Sequence, residues 1–94
     1  MSETVHDLII IGAGPAGLTA AIYASREMID TLLLDKGMCG GIPVTVDLIE
    51  NYPGFPEGIK GTNLVDKFKR QAERFKAKIT EYKEIEKVET AGGK

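Results

Sequence analysis

Two short apolar runs separated by a helical pattern organise the first third of the chain. Residues 8–11 are continuously apolar between Asp7 and Gly12, and residues 31–34 form a second apolar run that ends at Asp35. Such runs are typical of strands that are buried on both faces of a parallel sheet. Between them, apolar and small residues recur on one helical face, at Leu18, Ala21, Ile22 and Ser25. Residues 7–35 therefore predict a strand, a glycine turn, a helix and a second strand, which is one βαβ unit.

A loop rich in glycine and proline follows, and an amphipathic helix comes after it. Residues 37–61 fit neither a long helix nor a central strand, because glycines and prolines recur throughout them. Ordered loops of this length commonly wrap a ligand. Residues 62–77 predict a helix with Thr62 as its N-cap. Its apolar face is expected to consist of Leu64, Phe68, Ala72 and Phe75.

The last residues predict further strands that would need more chain to complete a sheet. Apolar side chains in residues 79–82 and 85–90 favour two short strands over a helix. The chain ends on Gly92-Gly93-Lys94, a turn signal that would lead into a returning strand. Two helices and a few strands do not cover both faces of a parallel sheet. We therefore expect residues 1–94 to be the amino-terminal part of an α/β domain.

Composition and charge narrow the possible partners. The 94 residues are 43% hydrophobic and 28% charged, which suits one small globular domain. Twelve basic and fourteen acidic residues give a net charge of -2 without a long block of one sign, so neither nucleic acid nor a membrane surface is an expected partner. We expect no metal site. The single cysteine, Cys39, and the lack of a targeting signal favour a cytoplasmic protein.

The residues after the first predicted strand have the spacing of a dinucleotide-binding loop. They read Gly12-Ala13-Gly14-Pro15-Ala16-Gly17, which matches G-x-G-x-x-G between a strand and a helix. Asp35 ends the next strand, close to the offset of about 20 residues expected for a carboxylate that binds ribose. This arrangement predicts a dinucleotide site but does not distinguish FAD from NAD.

Each glycine of the motif has an expected role. Gly12 would permit the tight turn, Gly14 would let the backbone approach a pyrophosphate, and Gly17 would let helix and strand pack closely. The pyrophosphate would bind the free N–H groups at the start of the helix, where the helix dipole favours an anion.

Longer stretches of the sequence resemble one flavoprotein family. Residues 7–24, from Asp7 to Ala24, closely resemble the start of thioredoxin reductases and their low-molecular-weight flavoprotein relatives. Gly40-Gly41 resembles the glycine pair of that family that contacts the flavin. Residues 50–56 are similar to its Glu-Asn-aromatic-Pro-Gly signature, here Glu50-Asn51-Tyr52-Pro53-Gly54-Phe55-Pro56. The resemblance extends over nearly the whole chain and implies a Rossmann-like FAD-binding domain.

The resemblance implies where the cofactor would be held. Asp35 and Lys36 would contact the adenosine side of FAD. The family usually has glutamine at the position of Ile42, so this chain departs from the pattern beside the flavin. The pyrophosphate contacts would come from Gly12, Gly14, Pro15, Ala16 and Gly17, and the flavin contacts from Gly40, Gly41, Ile42 and Asn51.

The same resemblance implies an activity for a longer parent enzyme. That enzyme would be an NADPH-dependent thioredoxin-disulfide reductase, a homodimer with a thioredoxin-like protein as its substrate. The family's NADP(H) site and its Cys-x-x-Cys pair lie beyond Lys94, so we expect no catalytic residue in this chain and no activity from it alone. Cys39 is interpreted as an incidental loop thiol.

Two alternatives to the reductase stay open on the sequence. A ferredoxin-NADP reductase of the thioredoxin-reductase type would share this first segment but lack the cysteine pair. A non-catalytic or remnant nucleotide-binding module would also fit so short a chain. An NAD dehydrogenase domain is disfavoured, because residues 37–58 would then have to form another βαβ crossover despite their prolines and glycines.

Overall fold

A computed structural model describes residues 5–41, 45 and 47–89 of the chain. Ile42 and the expected turn at Gly92-Gly93 lie outside the described residues. The elements follow one another as β1 (Leu8–Ile11), α1 (Pro15–Arg26), β2 (Thr31–Leu34), α2 (Gly61–Arg74) and β3 (Lys78–Thr80). The predicted α/β class and the βαβ unit are confirmed, and both predicted strand ranges of that unit match the structure to the residue.

The three described strands form one parallel sheet with β2 in the centre, in the order β1-β2-β3. The register aligns Ile10 of β1 with Leu33 of β2, and Leu33 with Ile79 of β3. This row of apolar side chains points to one face of the sheet, because side chains alternate between faces along a strand. It forms the sheet's contribution to the core.

Both helices cover that same face and pack against each other. Leu18 and Ala21 of α1, Leu33 of β2 and Ala72 of α2 are fully buried in one cluster, and Ile10 and Ile79 pack against it. The apolar face predicted for α1 is therefore confirmed. No helix in the described ranges is long and apolar enough to span a membrane.

Within the described residues the opposite face of the sheet is open, which corrects the prediction that β1 is buried on both faces. Ile9 is 51% exposed and Ile11 is 57% exposed. The register places them level with Leu32 and Leu34, which are only partly buried. The physical reason is that α1 and α2 lie on one side, and β1 forms an edge of the sheet instead of its centre.

Helix α2 begins and ends earlier than predicted. Its N-cap is Lys60, and no side chain caps it, so the prediction of Thr62 as cap is wrong. The helix ends at Arg74 because Lys76 takes a left-handed backbone conformation with φ of 71°. Leu64 and Ala72 of the predicted apolar face are buried, whereas Phe68 is partly exposed.

The loop between β2 and α2 is irregular as predicted, but it is tied to the helix that follows. An antiparallel bridge joins Ile49 to Ile59 through two backbone hydrogen bonds of 2.7 and 3.0 Å. The ring of Tyr52 lies 5.5 Å from that of Phe68 on α2, measured between centroids. The residues from 47 to 60 therefore pack as an ordered lobe beside α2.

Only the first of the two strands predicted after α2 forms in the described residues. Lys78–Thr80 pairs with β2, whereas residues 85–89 form no strand. Tyr82 has a φ of 56°, which interrupts the extended backbone directly after β3. Apolar spacing alone does not produce a strand without a neighbouring backbone to receive its hydrogen bonds.

Candidate functional site

The turn between β1 and α1 has the geometry expected of the glycine motif. Gly12 has a φ of +105°, a conformation that L side chains rarely adopt, and its N–H donates to the carbonyl oxygen of Leu34 at 2.7 Å. The predicted role of Gly12 in the tight turn is confirmed. The turn is thereby fixed to the carboxyl end of β2.

Gly17 is required by the packing of α1 on this turn. A Cβ added at Gly17 would overlap the carbonyl oxygen of Gly12 and stand 3.5 Å from a methyl carbon of Ile10. The predicted role of Gly17 in close packing is therefore confirmed, because no side chain fits between the helix and the end of β1.

The amino terminus of α1 is left open to an anion. Gly14 is the N-cap and offers no side chain to the first turn, which also contains no acidic residue. Pro15 occupies the first helical position, where a missing N–H costs nothing. The next N–H groups, of Ala16 and Gly17, have no partner within the helix. A Cβ added at Gly14 would meet no atom of the described residues within 4 Å, so a ligand has room there to approach the backbone.

The carboxylate of Asp35 connects this turn to the end of β2. Its Oδ2 accepts the N–H of Ala13 at 2.7 Å, and its Oδ1 accepts the N–H of Gly37 at 2.8 Å. These two N–H groups, Ala13 first, hold the pKa of Asp35 below its ordinary value. Asp35 is thus ionised at neutral pH, and each carboxylate oxygen still has a lone pair for a further donor.

The glycine pair is brought directly against the motif. The N–H of Gly40 donates to the carbonyl oxygen of Ala13 at 2.8 Å, and a Cβ added at Gly41 would stand 3.4 Å from the Cα of Gly14. Both glycines have positive φ, 128° at Gly40 and 62° at Gly41. Two segments more than twenty residues apart in sequence therefore form one surface.

A cleft of about 390 Å³ opens beside Asp35 at the carboxyl ends of β1 and β2. One side of it comes from residues that the sequence prediction missed, those directly after β3. They carry no motif, and only their position after a strand of the sheet could have indicated them. The lining residues are Ile11, Gly12, Leu34, Asp35, Lys36, Lys83, Glu84 and Ile85.

Asn51 is not brought into this cleft. It is exposed and lines a separate shallow depression formed by its own loop, residues 50–56. The predicted contact of Asn51 with the flavin half therefore stays a prediction. Ile42 lies outside the described residues, so its predicted place also stays a prediction.

Cys39 is buried directly before the glycine pair. Burial and the nearby Glu81 carboxylate raise the pKa of its thiol to about 11, so the thiol is protonated at neutral pH. A buried, protonated thiol is a poor nucleophile. Within the described part of the chain, no group of histidine, cysteine and carboxylate side chains is arranged to hold a metal ion.

A protein-family model described as "Pyridine nucleotide-disulphide oxidoreductase" matches residues 6–94. A thioredoxin reductase of Mycolicibacterium smegmatis is 53% identical over 78 residues, which cover 83% of this chain and 25% of that protein. The NADPH-dependent thioredoxin reductase 3 of Arabidopsis thaliana is 43% identical over 81 residues, covering 82% of this chain and 15% of that protein. The chain spans about a quarter or less of the length of these relatives.

Solved structures agree with the sequence comparison. The crystal structure of thioredoxin reductase from Streptococcus pyogenes superposes with a TM-score of 0.87 at 37% identity, covering 97% of this chain and 29% of that one. Thioredoxin reductase of Lactococcus lactis gives a TM-score of 0.77 at 42% identity, covering 82% of this chain and 25% of that one. The Rossmann-like fold is therefore shared with these proteins.

Proposed function

The chain belongs to the pyridine nucleotide-disulphide oxidoreductase family, and we propose that it is the FAD-binding part of a flavin-dependent thioredoxin reductase. The observation that carries this proposal is the open amino terminus of α1. Among the described residues, no side chain caps its first turn and none stands within 4 Å of a Cβ added at Gly14, and the turn itself contains no acidic residue. Free backbone N–H groups and the helix dipole suit the pyrophosphate of a dinucleotide.

The neighbouring groups fit the two halves of the same cofactor. The ionised Asp35 and the cleft beside it would take the adenosine, with the carboxylate accepting hydrogen bonds from ribose hydroxyls through its remaining lone pairs. Gly40 and Gly41 lie against Ala13 and Gly14 and offer backbone without side chains to the flavin half. In this proposal, FAD would lie as an extended molecule across the turn between β1 and α1.

The reaction itself would belong to the bound flavin, which carries electrons between a nicotinamide nucleotide and a disulfide. The residues of this chain bind and orient the cofactor. NADPH as the reductant and thioredoxin as the acceptor are supported by the names of relatives from Arabidopsis thaliana and Mycolicibacterium smegmatis. We also propose that the reductase is a homodimer.

FAD binding is tested with a Gly14→Ala variant. A methyl group at Gly14 would enter open space, so the chain should fold with a loss of at most about 1 kcal/mol from the weaker N-cap. The same methyl group would stand where the pyrophosphate approaches the backbone. We expect the dissociation constant for FAD, measured by quenching of flavin fluorescence, to rise about tenfold or more.

Gly37→Ala is the matched control for this experiment. The added Cβ would make an ordinary contact 3.8 Å from Oδ1 of Asp35, and Gly37 does not line the cleft. This control should bind FAD like the wild-type chain. Failure of the wild-type chain to bind FAD, or equal binding by wild type and Gly14→Ala, would contradict the proposal.

A further inference from the structure

Glu81, directly after β3, connects α2 to the segment that contains the glycine pair. Its Oε2 accepts the backbone N–H of Cys39 at 2.7 Å, and its Oε1 accepts a hydrogen bond from Nζ of Lys69 at 3.1 Å. The Lys69 and Glu81 side chains are only 31% and 23% exposed. This carboxylate therefore connects α2 to the backbone of Cys39, which lies 42 positions from Glu81 in sequence.

The bond to Cys39 acts on the residues that face the glycine motif. The next residue, Gly40, is fixed to Ala13 by a backbone hydrogen bond of 2.8 Å, and Gly41 packs on Gly14. The neighbours of Glu81 also hold the start of the same loop. The N–H of Tyr82 donates to the carbonyl oxygen of Gly37 at 3.0 Å.

The charges of Glu81 and Lys69 reinforce this connection. The Cys39 N–H, followed by Lys69, holds the pKa of Glu81 below its ordinary value, and Glu81 raises the pKa of Lys69. Both side chains are therefore ionised at neutral pH. Hydrogen bonds to ionised groups are stronger than those between neutral groups, and an N–H that loses its acceptor inside a protein is costly.

We propose that Glu81 is a positioning residue for the flavin half of FAD: held by Lys69, its carboxylate fixes the Cys39 backbone and so sets Gly40 and Gly41 against Gly14. This role rests on the proposed function. A residue that only stabilises the fold would affect both ligands alike. A positioning role predicts a larger loss of affinity for FAD than for ADP. ADP would occupy the helix terminus and the cleft beside Asp35 without reaching the glycine pair.

The test compares Glu81→Ala, Glu81→Gln and Lys69→Met in the full chain. FAD affinity is measured by fluorescence quenching and ADP affinity by competition against FAD. We expect Glu81→Ala to weaken FAD binding about tenfold and ADP binding clearly less. Glu81→Gln keeps an oxygen for the Cys39 N–H and should recover most of the FAD affinity. Lys69→Met should give an intermediate loss.

A second measurement reports the geometry without any cofactor. The Cys39 thiol is buried, so its reaction with a disulfide reagent depends on opening of the loop. This reaction should be faster in Glu81→Ala than in Glu81→Gln, which loses the same charge but keeps an acceptor for the Cys39 N–H. Glu86→Ala, which removes an exposed carboxylate that makes no hydrogen bond or ion pair within the described residues, is the matched control and should change neither reactivity nor affinity.

The outcomes separate this role from the proposed function. A wild-type chain that does not bind FAD overturns the proposed function and this role with it. FAD binding by wild type and Glu81→Ala with equal affinity, or an equal loss for FAD and ADP, overturns the positioning role alone. If Glu81→Ala does not fold, as judged by circular dichroism, Glu81→Gln and Lys69→Met decide the question by the same ratio of FAD to ADP loss.

Discussion

The two ends of α1 are built from different residues although both require unusual backbone conformations. At its amino terminus, the left-handed positions of the adjoining loops are glycines, Gly12, Gly40 and Gly41, with φ of 105°, 128° and 62°. At its carboxyl terminus the left-handed residue is Met28, with φ of 64°, and α2 ends in the same way at Lys76 with φ of 71°.

The carboxyl ends of both helices show that a left-handed conformation does not by itself demand glycine. Both ends form the same capping motif: Met28 N–H donates to Ser25 and Ile29 N–H to Ala24, while Lys76 and Ala77 repeat the pattern on α2. The side chain of Met28 is 93% exposed, so it meets no obstacle. Around the amino terminus of α1, backbones approach each other too closely for a Cβ at Gly17. At Gly17, glycine is therefore needed for space.

Of the substitutions around these helix ends, Gly17→Ala should lower the stability of the chain most. Its Cβ would overlap the carbonyl oxygen of Gly12, so either the turn or the helix has to move. We expect a loss of about 3 kcal/mol or more in the free energy of unfolding, the upper range for overpacking. Urea denaturation measures it. An unchanged midpoint would show that α1 can shift without cost and that space does not decide this position.

Asp35→Asn should have the next largest effect, because it removes the connection between the turn and β2. An amide offers one oxygen, so only one of the N–H groups of Ala13 and Gly37 keeps its acceptor. We expect a loss of about 1 to 3 kcal/mol in stability near neutral pH. An equally stable variant in urea titrations at pH 7 would contradict this connection.

The stability difference between wild type and Asp35→Asn should depend on pH. The N–H groups of Ala13 and Gly37 lower the pKa of Asp35 in the folded state. The stabilisation is therefore complete above the ordinary aspartate pKa and is lost as the pH falls through the folded-state pKa. The greater stability of wild type over Asp35→Asn should therefore decrease on acidification, as measured by urea midpoints between about pH 6 and 3. A constant difference over this range would contradict the assigned cause.

The smallest effects should have opposite signs at the start of α1 and at the end of α2. Gly12→Ala forces a side chain into the left-handed region at an otherwise open position and should destabilise the chain by about 1 to 2 kcal/mol. Lys76→Gly relieves the same conformation at the end of α2 and should stabilise by up to about 1 kcal/mol. Thermal unfolding of both variants tests the comparison. A destabilised Lys76→Gly would mean that its side chain contributes more than its backbone costs.

Much of the fold was predictable because it depends on neighbours in sequence. The strands β1 and β2 are continuous apolar runs, and the buried face of α1 follows from its helical spacing. The start of α1 also depends on a local preference, since Pro15 occupies the first helical position, which favours proline. The predictions failed where a partner decides the outcome: residues 85–89 have strand-like spacing but form no strand.

In the candidate site, too, residues that depend on local spacing were predicted and residues placed by tertiary contacts were missed. The glycine motif and Asp35 were found from spacing, because a tight turn and a strand end need particular residues at fixed offsets. Lys83, Glu84 and Ile85 were missed, although they line the cleft beside Asp35. Glu81 was also missed. It lies in a charged segment, and nothing in the neighbouring sequence indicates that its carboxylate accepts the N–H of Cys39.

The sequence by itself determined the βαβ unit, its tight turn and the residue types that suit a dinucleotide, because these depend on local backbone conformation and short spacing. Only the tertiary structure decided that Gly41 lies against Gly14, that Asp35 holds the Ala13 N–H and that Glu81 holds Cys39. These contacts join segments 22 to 42 residues apart. They exist because parallel strands bring their carboxyl ends to one edge of the sheet, a relation that no single segment contains.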